Sequence, residues 1–265
     1  FSASPAYHSA GAHQFSFDVH GGNVDWEIWT SVIPYYGRSD AEAIANINRY
    51  FAKHHQYLSS GSVLPRRFME VSEFFTATTQ AEFDQVKGWL TDGTYAWTPF
   101  SLNNPLLYFD AAAFGPNVDS GYTALSQGKA DFAVLDGHGY WGAQGRLDLA
   151  RIRRDGVRAY FVWANGCATG DIAQPENVMS ELLFSDKSLV LVAKGTTNDS
   201  GGLGNNANGF FGHNIATALA GGATFGTAIV GHVNVPLIYP WSDSREFHLA
   251  TSITLGDPTL RLPGY

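Results

Sequence analysis

Apolar runs of strand length alternate along this chain with segments of helical periodicity, and this alternation is typical of βαβ units on a largely parallel sheet. The apolar runs lie at 24–34, 66–71, 106–111, 131–139, 157–167 and 188–195, with a last short one, TLRL, near the end. The helical segments lie at 39–58, 79–90, near 120–128, at 175–184 and at 209–220. The pattern predicts one α/β domain over residues 1–265, with a mostly parallel sheet.

Two of the predicted strands end in glycine-rich turns that carry reactive side chains. VLDGHG puts His138 just past one strand, and VWANGC puts Cys167, the single cysteine of the chain, just past another. Open parallel sheets carry their chemistry at the carboxyl ends of strands, so neighbouring strands here would bring both side chains to one edge. An imidazole that takes the thiol proton makes the sulfur a nucleophile.

The backbone of the same turns offers hydrogen-bond donors. Glycine on either side of His138 allows close backbone approach to a substrate, and the amides of Gly139 and Cys167 are candidate donors to an oxyanion. Taken singly, a cysteine at a strand end is most often a small buried residue, and a histidine beside glycine is most often a turn residue. It is the pair in matched turns that favours catalysis.

The order of these motifs resembles the gingipain family of cysteine peptidases, within the caspase-like group. The resemblance is carried by the Gly-His-Gly turn, by Asn-Gly-Cys-x-x-Gly-Asp and by the terminal LGDPTLRL, and it runs from about Asp18 to Leu262. It implies a caspase-like sheet sandwiched by helices, endopeptidase activity on a peptide or protein substrate, a His138 and Cys167 dyad, and an oxyanion hole at the amides of Gly139 and Cys167.

The resemblance also implies a carboxylate that orients the histidine, and Glu70, at the end of strand 66–71, fits best. Family domains generally carry further βα elements ahead of an aspartate-rich turn, whereas little precedes Gln14 here. Three alternatives are open for these elements: an N-terminal segment that has been cut away, a partner chain that supplies them and completes the fold, or their absence.

A turn at 18–25 is the candidate calcium site, although His20 stands where a calcium loop prefers an oxygen ligand. The remaining candidate calcium ligands are Asp18, Asn23 and Asp25, and a plain turn is the alternative interpretation. The chemistry expected of the dyad needs no metal and no organic or redox cofactor.

Composition limits the partners and the location. A net charge of −8 and a single short basic cluster, RIRR, argue against a nucleic-acid partner. No apolar run reaches the length of about 18 residues that a membrane span requires. One cysteine excludes an internal disulfide and a cysteine-built zinc site. The resemblance to the gingipain family implies a secreted or cell-surface protein of bacterial or archaeal type, and the acidic charge, the low lysine content and the missing initiator methionine are compatible with export.

The residue patterns leave three functions open: a cysteine endopeptidase, a catalytically silent caspase-like domain that serves as a binding or assembly module, and another cysteine hydrolase or transpeptidase. The preferred substrate side chain is also open, since several acidic residues could select Arg or Lys, namely Glu73, Glu82, Asp110 and Asp119. Trp141 and Trp241 are candidates to line a substrate groove.

Overall fold

The computed structural model describes residues 31–59, 68–73, 106–109, 116–164, 166–194, 218–219, 221–234 and 252–261. The helices in this part of the chain are α1 (Asp40–Ser59), α2 (Pro116–Ser126), α3 (Leu149–Asp155), α4 (Val178–Phe184) and α5 (Phe225–Asn234). The strands are β1 (Phe68–Ser72), β2 (Leu106–Phe109), β3 (Phe132–Asp136), β4 (Gly139–Tyr140), β5 (Ala143–Gln144), β6 (Leu147–Asp148), β7 (Phe161–Ala164), β8 (Val190–Lys194) and β9 (Ser252–Gly256).

The main sheet is mostly parallel, as the alternation of strands and helices predicts. Its strand order is β2-β1-β3-β7-β8-β9. The pairs from β2 to β8 are parallel, and β9 runs antiparallel to β8. The fold class is therefore α/β. A smaller antiparallel sheet, β4-β5-β6, follows β3 directly.

The core lies on both faces of this sheet. All four residues of β7 are buried, which in a pleated strand requires cover above and below. The Phe161 ring stacks on Phe225 of α5, with centroids 5.2 Å apart, and Phe132 packs edge-on against the same ring. Helix α5 is thus one of the elements that cover the middle of the sheet.

Helix α1 follows the sequence prediction closely, since it spans Asp40–Ser59 against 39–58. The Ser39 hydroxyl accepts from the Glu42 amide at 3.3 Å. In a standard capping box the Glu42 carboxylate would accept from the backbone amide of Ser39. Here it accepts instead from the amide of Arg38, one residue earlier, at 2.8 Å. The predicted helix near 120–128 begins earlier, at Pro116, a residue type suited to the first helical turn.

The prediction of a last strand at TLRL is wrong. The chain at Asp257 to Leu260 forms a turn, in which the Asp257 carboxylate accepts from the Thr259 amide at 2.9 Å. The terminal strand lies just before it, at Ser252–Gly256. Predicted helix 79–90, most of 24–34 and most of 209–220 lie outside the described residues. Within the described ranges, no helix combines the length and apolar character needed to cross a membrane.

Candidate functional site

The two glycine-rich turns lie against each other. Strands β3 and β7 are parallel neighbours, and their last paired residues are Leu135 and Ala164. Beyond them the backbones touch, since a β-carbon added to Gly139 would lie 2.7 Å from the Cα of Gly166. Gly139 directly follows His138, and Gly166 directly precedes Cys167, so the contact brings both candidate catalytic residues to one edge of the sheet.

Only glycine fits at this contact. A β-carbon on Gly166 would lie 2.8 Å from the Cα of Gly139, and one on Gly139 would lie 2.6 Å from Cγ2 of Thr169. Real β-carbons essentially never come this close to other atoms, and a backbone neighbour cannot rotate away. The glycines flagged by the sequence pattern therefore serve close packing between the turns, in addition to any approach of substrate.

Two buried polar side chains hold the Cys167 turn. The Gly166 amide donates to Oε1 of Gln144 at 2.7 Å, and the hydroxyl of Thr169 donates to the Gly166 carbonyl at 3.0 Å. Gln144 and Thr169 are both 0% exposed. Because Gln144 belongs to β5, it connects the hairpin that follows His138 with the turn that carries Cys167.

The candidate nucleophile and base differ in exposure. Cys167 is partly buried and His138 is exposed. The His138 carbonyl accepts from the Gly145 amide at 2.6 Å, and this bond joins the two chain segments at the open end of the β4–β5 hairpin. At the hairpin tip, the Trp141 carbonyl accepts from the Val178 amide at 2.7 Å, so the hairpin is tied to the start of α4.

The hairpin register directs the Gly139 amide away from β5. Gly139 pairs with Gln144, and the neighbouring pair, His138 and Gly145, is hydrogen-bonded. Bonded and non-bonded pairs alternate in an antiparallel ladder, so Gly139 occupies a non-bonded position and its N–H leaves the ladder on the side away from β5. Within the described residues this amide is therefore not used by the β4–β5 ladder, which makes it a candidate donor beside the cysteine turn.

The residue after Cys167 has an unusual backbone conformation. Ala168 has φ of 50°, in the left-handed region that residues with a β-carbon seldom adopt. Such strained positions occur frequently at functional sites. The sharp bend turns the chain immediately after the thiol and allows the Asp171 amide to donate to the Ala168 carbonyl at 3.1 Å.

Glu70, the carboxylate that the resemblance assigns to the histidine, lies within β1. Its backbone is in register with Leu107 of β2 and Val134 of β3. Val134 precedes the turn that carries His138. The Glu70 backbone therefore lies closer to the N-terminal ends of the strands than that turn does. The placement leaves the role assigned to Glu70 a hypothesis.

Glu73 lies closer to the histidine turn. It directly follows β1, whose last residue is in register with Asp136, and it is 2% exposed. A β-carbon on Gly137 would lie 2.6 Å from Oε2 of Glu73, and one on Gly145 would clash with Oε1. The carboxylate is thus wedged between two glycines of the hairpin region.

Burial raises the pKa of the Glu73 carboxyl above its usual value. The backbone amides of Arg146 and His138, the Arg146 charge and the Tyr122 hydroxyl act in the opposite direction and favour the carboxylate. Within the described part of the chain, neither carboxylate oxygen of Glu73 has a partner at full hydrogen-bond geometry, which fits the dominance of burial. The Glu73 carboxylate therefore packs against Gly137 and Gly145, next to the turn that carries His138.

No protein-family model matches this chain, and comparison with curated protein sequences gives no match either. A function for the chain therefore has to be argued from the geometry of its own residues.

The other sequence candidates fall in different places. Asp119 lies on α2, where it pairs with Arg151 at 2.5 Å. Trp141 is 41% exposed at the hairpin tip, and Glu73 is too deeply buried to face an open pocket. The described residues contain no group of three or more metal-ligating side chains placed to hold a metal ion. The remaining candidates lie outside the described residues: Asp18, Asn23, Asp25, Glu82, Asp110 and Trp241.

Sequence reasoning missed Gln144 and Thr169 as parts of this site. Thr169 stands inside the Cys-x-x-Gly-Asp motif, two residues after the cysteine, so its position was a usable signal. Gln144 follows an ordinary turn, and only its contact with Gly166 makes it notable. No feature of the neighbouring sequence predicts that contact.

Proposed function

We propose that this chain is a cysteine endopeptidase of caspase-like, gingipain-like type, with Cys167 as nucleophile and His138 as the group that carries the proton. The backbone contact between Gly139 and Gly166 is the observation that carries the proposal. It leaves each reactive residue one position from the contact, at the carboxyl ends of neighbouring parallel strands.

The proposed reaction proceeds through a thioester. The Cys167 sulfur attacks the peptide carbonyl carbon while its proton passes to His138. The carbon–nitrogen bond then breaks, and His138 returns the proton to the leaving amine. Water, deprotonated by His138, attacks the thioester, which releases the new carboxylic acid and restores the thiol.

Backbone amides stabilise the oxyanion in this scheme. The Gly139 N–H leaves the hairpin ladder at a non-bonded position, and the Cys167 N–H belongs to the turn that the Thr169 hydroxyl holds in place. Preorganised amides of this kind stabilise a tetrahedral intermediate without reorganisation during the reaction. The resemblance to gingipains assigns the same two amides, which supports the peptide as the substrate class.

The test is cleavage of peptides whose two ends are blocked. We expect the protein to cut internal bonds of a peptide library, with products identified by mass spectrometry. Cys167→Ala should abolish cleavage while the melting temperature stays close to that of the wild type. His138→Ala should reduce cleavage by about a hundredfold or more, in the range of general acid–base effects. His55→Ala, at an exposed histidine of α1, is the matched control and should leave the rate unchanged.

Other outcomes identify the alternatives. Cleavage that survives in Cys167→Ala would overturn the assignment. A folded protein that cuts no library peptide, and whose Cys167 is inert, would be a silent binding or assembly module. Transfer of the acyl group to an added amine, in preference to water, would identify a transpeptidase.

A further inference from the structure

We propose that Gln144 and Thr169 are positioning residues that hold Gly166 from both sides and thereby orient the Cys167 amide and thiol. We call this pair the Gly166 clamp. The inference rests on the proposed function, because the group that it positions is the proposed nucleophile.

The clamp fixes two successive peptide units. The Gly166 amide, which donates to Gln144, belongs to the peptide unit before Gly166. The Gly166 carbonyl, which accepts from Thr169, belongs to the unit that also contains the Cys167 N–H. Because a peptide unit is planar and its N–H and C=O point in opposite directions, a hydrogen bond to the Gly166 carbonyl sets the direction of the Cys167 N–H.

Packing adds to the hydrogen bonds. Cγ2 of Thr169 lies so close to Gly139 and Gly166 that a β-carbon at either glycine would stand 2.6 Å or 3.0 Å from it, respectively. The Thr169 methyl group thus packs between the histidine turn and the cysteine turn. One residue holds the cysteine turn by its hydroxyl and abuts the histidine turn by its methyl group.

Stability alone does not explain Gln144. Its Nε2 is buried and has no hydrogen-bond partner in the described part of the chain, and a buried donor without an acceptor costs free energy. A methionine of similar length would remove that cost, while it would leave the Gly166 amide without its acceptor. The two effects oppose each other in stability, so we expect the loss of Gln144 to appear mainly in the order of the turn and in catalysis.

The experiment compares isosteric pairs. Gln144→Met and Thr169→Val remove the side-chain hydrogen bonds and keep the size, whereas Gln144→Glu and Thr169→Ser keep an acceptor or hydroxyl at the same position. The longer bond from the Thr169 amide to the Gly166 carbonyl, at 3.4 Å, remains in every variant. Gln127→Met makes the same chemical change as Gln144→Met at an exposed position after α2 and serves as the control. Three quantities are measured for each variant: peptide turnover, the melting temperature and hydrogen exchange of the amides of residues 166 and 167.

We expect Gln144→Met to lower kcat by about tenfold to a hundredfold, the range for a small misplacement of a reacting group, with KM changed by less than about threefold. Exchange of the Gly166 amide should become at least about tenfold faster. Gln144→Glu should recover most of kcat. Thr169→Val should lower kcat in the same way, and Thr169→Ser should recover it.

Wild-type turnover in Gln144→Met and Thr169→Val would overturn the clamp while the proposed function stands. If turnover in all four variants fell simply in step with the melting temperature, Gln144 and Thr169 would have a structural role only. That result would also overturn the clamp. A wild-type protein without turnover would remove the proposed function. In that case unchanged amide exchange in Gln144→Met would overturn the clamp independently, and faster exchange would support the clamp as a device that orders the turn.

Discussion

At the scale of single residues, the site depends on backbone that is held in costly conformations. Ala168 is the residue with a β-carbon and positive φ among those described, and it follows the proposed nucleophile directly. Glu73 is an acid buried behind the proposed base. Both features lower stability. Ala168 lies within the cysteine turn and Glu73 packs against the histidine turn, and functional sites are where proteins commonly exchange stability for function.

Replacement of Ala168 by glycine should stabilise the protein. The left-handed conformation costs alanine about 1–2 kcal/mol, while glycine adds back about 0.5–1 kcal/mol of backbone entropy. We expect the free energy of unfolding to rise by about 0.5–1 kcal/mol, measured by urea denaturation. Ala52→Gly, at an exposed position inside α1, should lower it by about 1 kcal/mol. A lower free energy of unfolding in Ala168→Gly as well as in Ala52→Gly would contradict backbone strain at Ala168.

Glu73 should make stability depend on pH. Because burial raises its pKa in the folded state, the folded protein binds a proton more tightly than the unfolded chain does. The free energy of unfolding therefore falls as the pH rises from about 4, the unfolded value, through the higher folded pKa. Glu73→Gln removes this titration, so the variant should gain stability relative to the wild type as the pH rises from about 4 through the raised folded pKa.

The measurement is thermal or denaturant unfolding of both proteins at several pH values. A difference between Glu73→Gln and wild type that does not change with pH would mean that the carboxyl is not buried in the folded state.

At the scale of elements, the short hairpin and its neighbours set the site. The hairpin β4–β5 follows β3 after the two-residue turn of Gly137 and His138, and β6 leads into α3, whose first turn is capped by Asp148. The Asp148 carboxylate accepts from the Arg151 amide at 2.7 Å. The element that carries His138 is thus joined to a helix within a few residues.

Loss of the Asp148 cap should destabilise the protein moderately. Asp148→Ala removes the acceptor for the Arg151 amide and should cost about 1 kcal/mol of unfolding free energy, measured by chemical denaturation. Asp148→Asn keeps an acceptor oxygen and should be close to wild type. Equal losses in the two variants would assign the effect to charge and would contradict the capping role.

The sequence predicts some of these elements well and others not at all. Strands β3 and β7 are apolar runs that end in glycine, so their limits and the turns after them can be predicted. The strands β4, β5 and β6 have two residues each, which is too short for any periodicity. Helix α3 buries only Ile152, and α5 is rich in glycine and β-branched residues of low helix propensity.

The same limit applies to the site. Histidine and cysteine beside glycine can be recognised along the chain because the signal is local. The contact of Gln144 with Gly166 joins residues that are distant in sequence, and it exists only once β5 packs beside the β7 turn. Side chains whose role is to hold backbone in a tertiary contact leave no pattern in their own neighbourhood.

At the scale of the whole molecule, α1 ties the end of the described chain to the body of the sheet. Nε2 of His54 lies 2.7 Å from the Asp257 carboxylate, and the Tyr50 hydroxyl donates to the Leu189 carbonyl at 3.0 Å. Burial by itself would raise the pKa of Asp257. The hydrogen bonds from Thr259 and the contact with His54 act against burial, and the resulting pKa is lowered.

Asp257→Asn should therefore weaken the protein only where the carboxylate is ionised. We expect a loss of about 1–2 kcal/mol near neutral pH, toward the low end of the values for hydrogen bonds to a charged group, because the His54–Asp257 pair is partly exposed to solvent. The difference from the wild type should persist above about pH 4 and disappear as the pH falls through the lower folded pKa. Unfolding curves at acid and neutral pH measure it. Asp155→Asn, at an exposed pair with Arg154, should have a smaller effect, and a loss independent of pH would contradict the ionic role of Asp257.

The most direct measurement of the central claim is the rate at which an iodoacetamide probe alkylates Cys167 in the native protein, followed by mass spectrometry between about pH 5 and 9. Because the turns of His138 and Cys167 touch, we predict fast labelling that slows by about tenfold or more in His138→Ala and is unchanged in His55→Ala. Labelling that is slow in the wild type, or equally fast without His138, would contradict an activated dyad.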